Sequence, residues 1–352
     1  MKRNSSIDYL KFLFSIVIVL YHYGLWFDGG YIVVEGFFMI TGFLMMGALY
    51  RKKDVPDTAP DSTAKFVFRK YKAIFLPLLF SAISGYLIYE LLIFEHTAKL
   101  ALKQLPYMLF EVFPLQMAGF DTFCATGVSW YLSAMLLGLA ILYPFAKRNP
   151  EGFAYTVCPP LVLLVYGLLC VQYHQLDVNS HWILGVLNAG VLRAMAGIAA
   201  GCFLYALVLR AKTELTLKAR ACYTALELAA LCYLFRSMMT ADFYRTGHDF
   251  VMVAVLFGIL YLALSEKSLI AHYCKHRYTK ILATWSTYIY LNHYAWNIYF
   301  KNVLATNKSP LQLLPWYLLC VAASCTVAWS LSALCKFGCK KIAQKKWKGE
   351  TA

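Results

Sequence analysis

Apolar residues run through this chain in blocks of about twenty, separated by short polar and often basic stretches. A helix needs about 20 mostly apolar residues to cross a bilayer. That rule predicts spans near 7–27, 31–50, 69–94, 129–147, 153–173, 183–209, 220–238, 249–265, 281–303 and 312–336. The stretch 97–118, TAKLALKQLPYMLFEVFPLQMA, is also apolar but contains Lys103, Pro106, Glu111 and Pro114. It reads as an interfacial or re-entrant segment and not as an eleventh span. The pattern predicts an all-α integral membrane protein of about ten transmembrane helices. They form one polytopic domain over residues 1–352, with no soluble domain after the last helix.

The charges between the blocks give an orientation. With the N-terminus inside, 25 of the 33 Lys and Arg fall in cytoplasmic segments, the basic loop at 51–68 among them, and only four fall outside. Basic residues collect on the cytoplasmic side of membrane proteins, so both termini are expected there. An eleventh span would scramble this alternation after residue 118. The start, MKRNSS before an apolar run, imitates a signal peptide. Where small residues should allow cleavage it has LYHYGLWF, so it reads as a retained first helix.

Composition agrees. The chain is 61% hydrophobic and 14% charged, against about 45–50% and 25% for soluble domains. The net charge of +15 follows from the topological bias and does not call for nucleic acid; membrane lipids are the expected surroundings. Most of the eleven cysteines lie within apolar runs and none forms a CxxC pair, so they read as small packing residues. His272, Cys274 and His276 in AHYCKHR lack a second ligand pair, and no metal site is expected.

The first helix carries the most informative polar residues. Lys11 and His22 are eleven residues apart, three turns plus about 20°, so they share a face, with Asp8 and Ser15 close to it. Ionisable groups inside hydrocarbon are costly and face the protein interior or a water-filled cavity. The helical rise separates the two by about 16 Å, placing Lys11 towards the cytoplasm and His22 towards the outer half. After the FDGG turn, Glu35 is expected at the depth of His22. A histidine beside a carboxylate suits a general base, but it equally suits a buried pair that locks a helical hairpin. Arg193, in NAGVLRAMAG, sits among small residues that permit close helix packing; it either meets substrate or balances Glu35 or Asp8. His293, in YLNHYAWN, has Asn292 and Asn297 as polar neighbours.

These segments resemble the acyltransferase 3 family of bacterial membrane acyltransferases. The Lys11-x10-His22 spacing is similar to that family's first-helix signature, and VVEGFFMITGFLM at 33–45 to its second-helix motif. FRKYKAIFLPLL at 68–79, SWYLSAMLLGLAILYP and STYIYLNHYAWNIY resemble its later motifs, in order. The resemblance implies transfer of an acyl group, often acetyl, from a cytoplasmic acyl-CoA co-substrate to a hydroxyl of a glycan or lipid-linked sugar. It implies no bound cofactor and a bacterial inner-membrane location. By position it makes His22 the catalytic base and Lys11 the basic member of the first motif; the hairpin reading adds Glu35 as the catalytic carboxylate that orients His22. Arg69 and Lys72 would match the basic pair at the donor end. Lys72 stands where an Arg is more typical, and loses the planar bidentate fork. Arg193, Tyr131 and His293 complete the expected substrate contacts, with Thr41, Tyr131 and Tyr290 as possible hydroxyls for the oxyanion. The alternative is a proton-coupled transporter using the same intramembrane residues, although the two halves lack the matching interrupted helices of inverted-repeat carriers.

Overall fold

The computed structural model describes residues 4–53, 60–120, 125–211, 214–273, 279–304 and 309–349. Each of the ten predicted segments falls on a helix. In chain order these are α1 (Ser5–Tyr23), α2 (Val33–Lys53) and α3 (Thr63–Ile88), which a π-turn continues over Tyr89–Ile93. The amphipathic α4 (Ala98–Val112) precedes α5 (Trp130–Arg148), α6 (Pro150–Tyr173), α7 (Ala189–Arg210) and α8 (Leu217–Met239). Then come α9 (His248–Leu264), the short α10 (Leu269–Tyr273), α11 (Thr279–Tyr299) and α12 (Pro310–Gly349). Seven of them, α1, α2, α3, α5, α6, α7 and α12, are long and apolar enough to cross a membrane. The chain is therefore an integral membrane protein. α9 is apolar but shorter, while α8 and α11 interleave more polar residues.

Two predicted boundaries move. The span expected from residue 183 starts at Ala189, because Trp182–Ile183 and Leu187–Asn188 form a small antiparallel hairpin (β1 and β2). Asn188 then caps α7 by accepting from the Gly190 N–H at 2.7 Å. The first span ends at Tyr23, not 27. Gly24 takes a left-handed φ of 78°, where its N–H reaches back to the carbonyls of Leu20 and Tyr21.

α2 and α7 form the tightest pair, and glycine explains it. A Cβ on Gly42 would lie 1.9 Å from the Ile198 carbonyl oxygen, and one on Gly201 would lie 1.9 Å from that of Met39. The two backbones touch at both positions, as small residues allow in membrane helices. α1 runs parallel to α11. The Ser286 hydroxyl donates to the Lys11 carbonyl at 2.9 Å near one end, and the Lys301 ammonium donates to the His22 carbonyl at 2.6 Å near the other.

Within 97–118, α4 is too short to span. It buries Met108, Glu111 and Val112 against the bundle and leaves Leu102, Tyr107 and Leu109 exposed. Glu111 accepts from the backbone N–H of Ala125 (2.8 Å) and Thr126 (3.0 Å) and from the Thr126 hydroxyl. Burial pushes its carboxyl pKa up, against hydrogen bonds that favour the charged form. This one side chain fixes the segment that leads into α5.

Candidate functional site

Two neighbouring cavities lie beside α1. The first, about 500 Å³, is lined by Asp8, Lys11, Leu44, Arg51 and Tyr205, near the N-terminal end of α1. The second, about 180 Å³, shares Lys11 and Leu44 with it and continues past Lys70 to Thr41, Tyr131 and Tyr290. Lys11 therefore stands where the wide chamber narrows. The three hydroxyl side chains expected to line a cavity do line one, together. Tyr131 and Tyr290 pack edge to face at 5.7 Å, which closes the narrow chamber with aromatic walls.

Beyond Tyr290 lie the two histidines. The His293 ring centroid is 6.1 Å from that of Tyr290 and 5.2 Å from that of His22. His293 is fully buried. Its Nδ1 lies 2.8 Å from the Tyr290 carbonyl and 3.1 Å from that of Ile289. Carbonyls only accept, so Nδ1 carries the proton and Nε2 presents a lone pair. That Nε2 is buried with no partner. One turn further along α11, Asn297 is buried on the same face, and its Oδ1 also lacks a donor. His22 is half-buried at the end of α1, with Tyr294 edge-on at 5.1 Å. Tyr294 in turn faces Gly127, where a Cβ would fall 1.8 Å from the tyrosine ring. Gly127 belongs to the segment that Glu111 holds, and the Tyr290 hydroxyl grips the same segment through the Val128 carbonyl at 2.9 Å. The segment that leads into α5 is thereby packed against Tyr294 and Tyr290, beside the histidine pair.

Glu35 is elsewhere. The expected His22–Glu35 pairing does not form, because both carboxylate oxygens of Glu35 are taken: Oε1 by Arg193 Nε and Oε2 by the Tyr166 hydroxyl. Arg193 is fully buried, donates a second hydrogen bond to the Tyr31 carbonyl at 2.6 Å, and lies over the Trp130 ring at 5.6 Å. Of the two roles expected for Arg193, the structure shows the second: it balances Glu35, in an ion pair that ties α2 to α7. The hairpin argument fails because α2 turns its first-turn carboxylate toward α7, its closest neighbour, and not toward α1.

The basic residues of α3 also sort differently from the spacing. Arg69 is exposed and ion-paired to Asp61, and Lys72 is exposed on another flank. Neither lines the cavities. Lys70, between them, does. Helical phase carried the signal: Phe66, Lys70, Ile74 and Leu78 repeat every fourth residue, and Phe66 and Leu78 are buried. Among the described residues no group of His, Cys, Asp or Glu could hold a metal. His272 lines a separate open cavity of about 840 Å³ with Arg220 and Glu266, while Cys274 and His276 lie outside the described residues.

A family profile described as an acyltransferase domain, that of acyltransferase 3, matches residues 4–333. No curated protein and no solved structure matches the chain. The match spans nearly the whole bundle, from the start of α1 into α12, and so takes in both cavities and both histidines. The chain belongs to the acyltransferase 3 family of membrane acyltransferases.

Proposed function

We propose that this protein moves an acyl group, most simply acetyl, from a cytoplasmic acyl-CoA to a hydroxyl of a glycan or lipid-linked sugar, with His22 as the base. In this reading the helices form ten spans with both termini in the cytoplasm, and the membrane is the bacterial inner membrane. The observation that carries the proposal is the order of features along α1: a basic chamber at Lys11, a smaller aromatic-lined chamber beside it, then two imidazoles in ring contact, of which His293 leaves a buried Nε2 without a partner.

The donor is polyanionic and ends in a thioester on a long flexible arm. Arg51 and Lys11 supply positive charge at the larger chamber for its phosphates, Lys70 adds its charge at the smaller one, and the arm runs into the smaller chamber. At the far end an alcohol donates its proton to His22. The His293 Nε2 and Asn297 Oδ1 accept hydrogen bonds from neighbouring hydroxyls of the same acceptor and so orient it. The alcohol oxygen attacks the thioester carbonyl, the C–S bond breaks, and the proton held on His22 passes to the leaving thiolate. The Tyr131 hydroxyl, on the wall of the smaller chamber, is the donor assigned to steady charge on the carbonyl oxygen, since the Thr41 hydroxyl donates to the Phe37 carbonyl at 2.9 Å. Glu35 and Arg193 act on this reaction only through the fold.

The test uses membranes containing the full chain, incubated with acetyl-CoA labelled in the acetyl group, beside His22→Ala at equal abundance. Label is expected in glycan or lipid-linked sugar with the wild type and not with the variant. Equal label in both would remove His22 as the base. No label in either, with uptake of a solute driven by a proton gradient, would replace the reading with transport.

A further inference from the structure

α1 has two working faces. Opposite the stripe of Lys11 and His22, its residues Ser6, Tyr9, Leu13 and Ile16 line a groove of about 400 Å³. Leu231 of α8, Ala263 of α9 and Ile270 and Ala271 of α10 complete the walls. Tyr9 and Ile270 are exposed large side chains at its lip, so the groove opens sideways, where the bilayer lies. Nearly all of it is hydrocarbon. The exception is Glu227, whose side chain lines the groove although the residue is only 5% exposed. Ser268 neighbours the carboxyl, yet Oε2 is buried with no partner. Glu227 is the one charged side chain in the lining.

A buried carboxylate oxygen without a donor is costly in an apolar setting, and lipid tails offer nothing to satisfy it. Its depth limits what can. Ser6 and Tyr9 belong to the first turns of α1, and α10 follows the end of α9. The groove therefore sits at the membrane face that carries the N-terminus, where head groups meet acyl chains. The matching occupant has an apolar chain for Leu13, Ile16 and Leu231, and an amine that both donates a hydrogen bond and carries a positive charge. We propose that this groove binds an aminophospholipid of the surrounding leaflet, its ammonium against Glu227 Oε2 and one acyl chain along α1. A quaternary ammonium matches the charge but cannot donate, and an anionic glycerol head group can donate from its hydroxyls but brings the wrong charge to the carboxylate.

Native mass spectrometry of the full chain, delipidated in mild detergent, tests this with phosphatidylethanolamine, phosphatidylcholine and phosphatidylglycerol of identical chains. The wild type is expected to retain phosphatidylethanolamine about tenfold more tightly than the other two, as one charge-assisted hydrogen bond implies. Glu227→Gln should bring the three within about twofold of one another, and Leu13→Trp, which fills the groove, should remove the tightest-bound lipid whatever its head group. Equal retention of the three lipids by the wild type would overturn the proposal. So would an unchanged preference in Glu227→Gln or in Leu13→Trp; if the former does not fold, the wild-type ranking and Leu13→Trp decide. The readout is lipid occupancy, so it stands or falls apart from acyl transfer.

Discussion

Two buried polar clusters lie within one bundle, and they are built on opposite principles. Around Glu35 both carboxylate oxygens are answered, by Arg193 and Tyr166, the Tyr31 carbonyl takes a second arginine nitrogen, and Trp130 covers the guanidinium. That leaves Arg193 Nη1 as the one side-chain atom of the ion pair without a partner among the described residues. Around His22 the side-chain acceptors are left open: His293 Nε2 and Asn297 Oδ1 have no partner, while His293 Nδ1 alone is held, by backbone carbonyls. Unanswered polar groups in a core are a cost that folding alone does not explain. The difference separates a cluster that holds helices together from one that waits for a ligand. Identity of residue type could not have drawn that line, since both clusters offer ionisable side chains at similar sequence positions in adjacent helices.

The largest effect should come from the open cluster. His22→Ala should lower acyl transfer by about 10²–10⁴-fold, the span usual for a general base, while the melting temperature of the detergent-solubilised protein stays near that of the wild type. A large loss of thermal stability with the activity would instead make His22 a packing residue and erase the contrast. The closed cluster should behave in the reverse way. Arg193→Met leaves Glu35 charged, buried and short of its main donor, which should cost about 3–5 kcal/mol of stability. The double variant Glu35→Met with Arg193→Met should recover most of that loss, because the uncompensated charge is gone. If the double variant were folded and as stable as expected but inactive, Glu35 and Arg193 would belong with the reaction after all.

Much of the bundle was legible in the chain because hydrophobic blocks, helix phase and loop charge are local properties. The α1 stripe is one such property: Lys11 lines both cavities, and His22 lies on the same helix in ring contact with His293. What failed was pairing between helices. Glu35 and His22 sit at comparable depth, but depth says nothing about the direction in which α2 presents its first turn. That direction is set by Gly42 and Gly201, which pull α2 onto α7, and by Arg193 waiting there. The glycines were visible in the sequence, but the backbone each one meets, at Ile198 and at Met39, lies about 160 residues away along the chain. Motif spacing misled in α3 for a related reason: the match of Arg69 and Lys72 is a statement about positions, whereas burial follows the four-residue phase that Lys70 obeys. The hairpin at 182–188 was hidden inside an apolar run, where hydrophobicity alone cannot tell strand from helix.

The loop over the histidines gives a smaller, sharper test. Glu111→Gln keeps the shape of the side chain but replaces one acceptor oxygen by a donor, facing N–H groups from Ala125 and Thr126 that also donate. A loss of about 1–3 kcal/mol is expected from such a buried mismatch. Because Gly127 and Val128 lean on Tyr294 and Tyr290, the same variant should raise the Michaelis constant for the alcohol acceptor more than that for the donor. Equal changes in both would mean that this segment braces the whole bundle and not the histidine end in particular.

The smallest expected effect discriminates best between position and phase. Lys70 lines the passage at its basic end, near Phe66 and across from Lys11, whereas Arg69 is occupied by Asp61 and Lys72 points outward. If the ammonium of Lys70 meets a donor phosphate, Lys70→Met should raise the donor's Michaelis constant about tenfold, with little change in turnover. Arg69→Met and Lys72→Met should each stay within about twofold of the wild type, as is usual for exposed charges. The reverse ranking would place the donor outside the cavity, at the surface of α3. The chambers beside α1 would then lead from the membrane to the histidines without the donor's phosphates ever entering them, and the open cluster would have to draw its acyl group by another path.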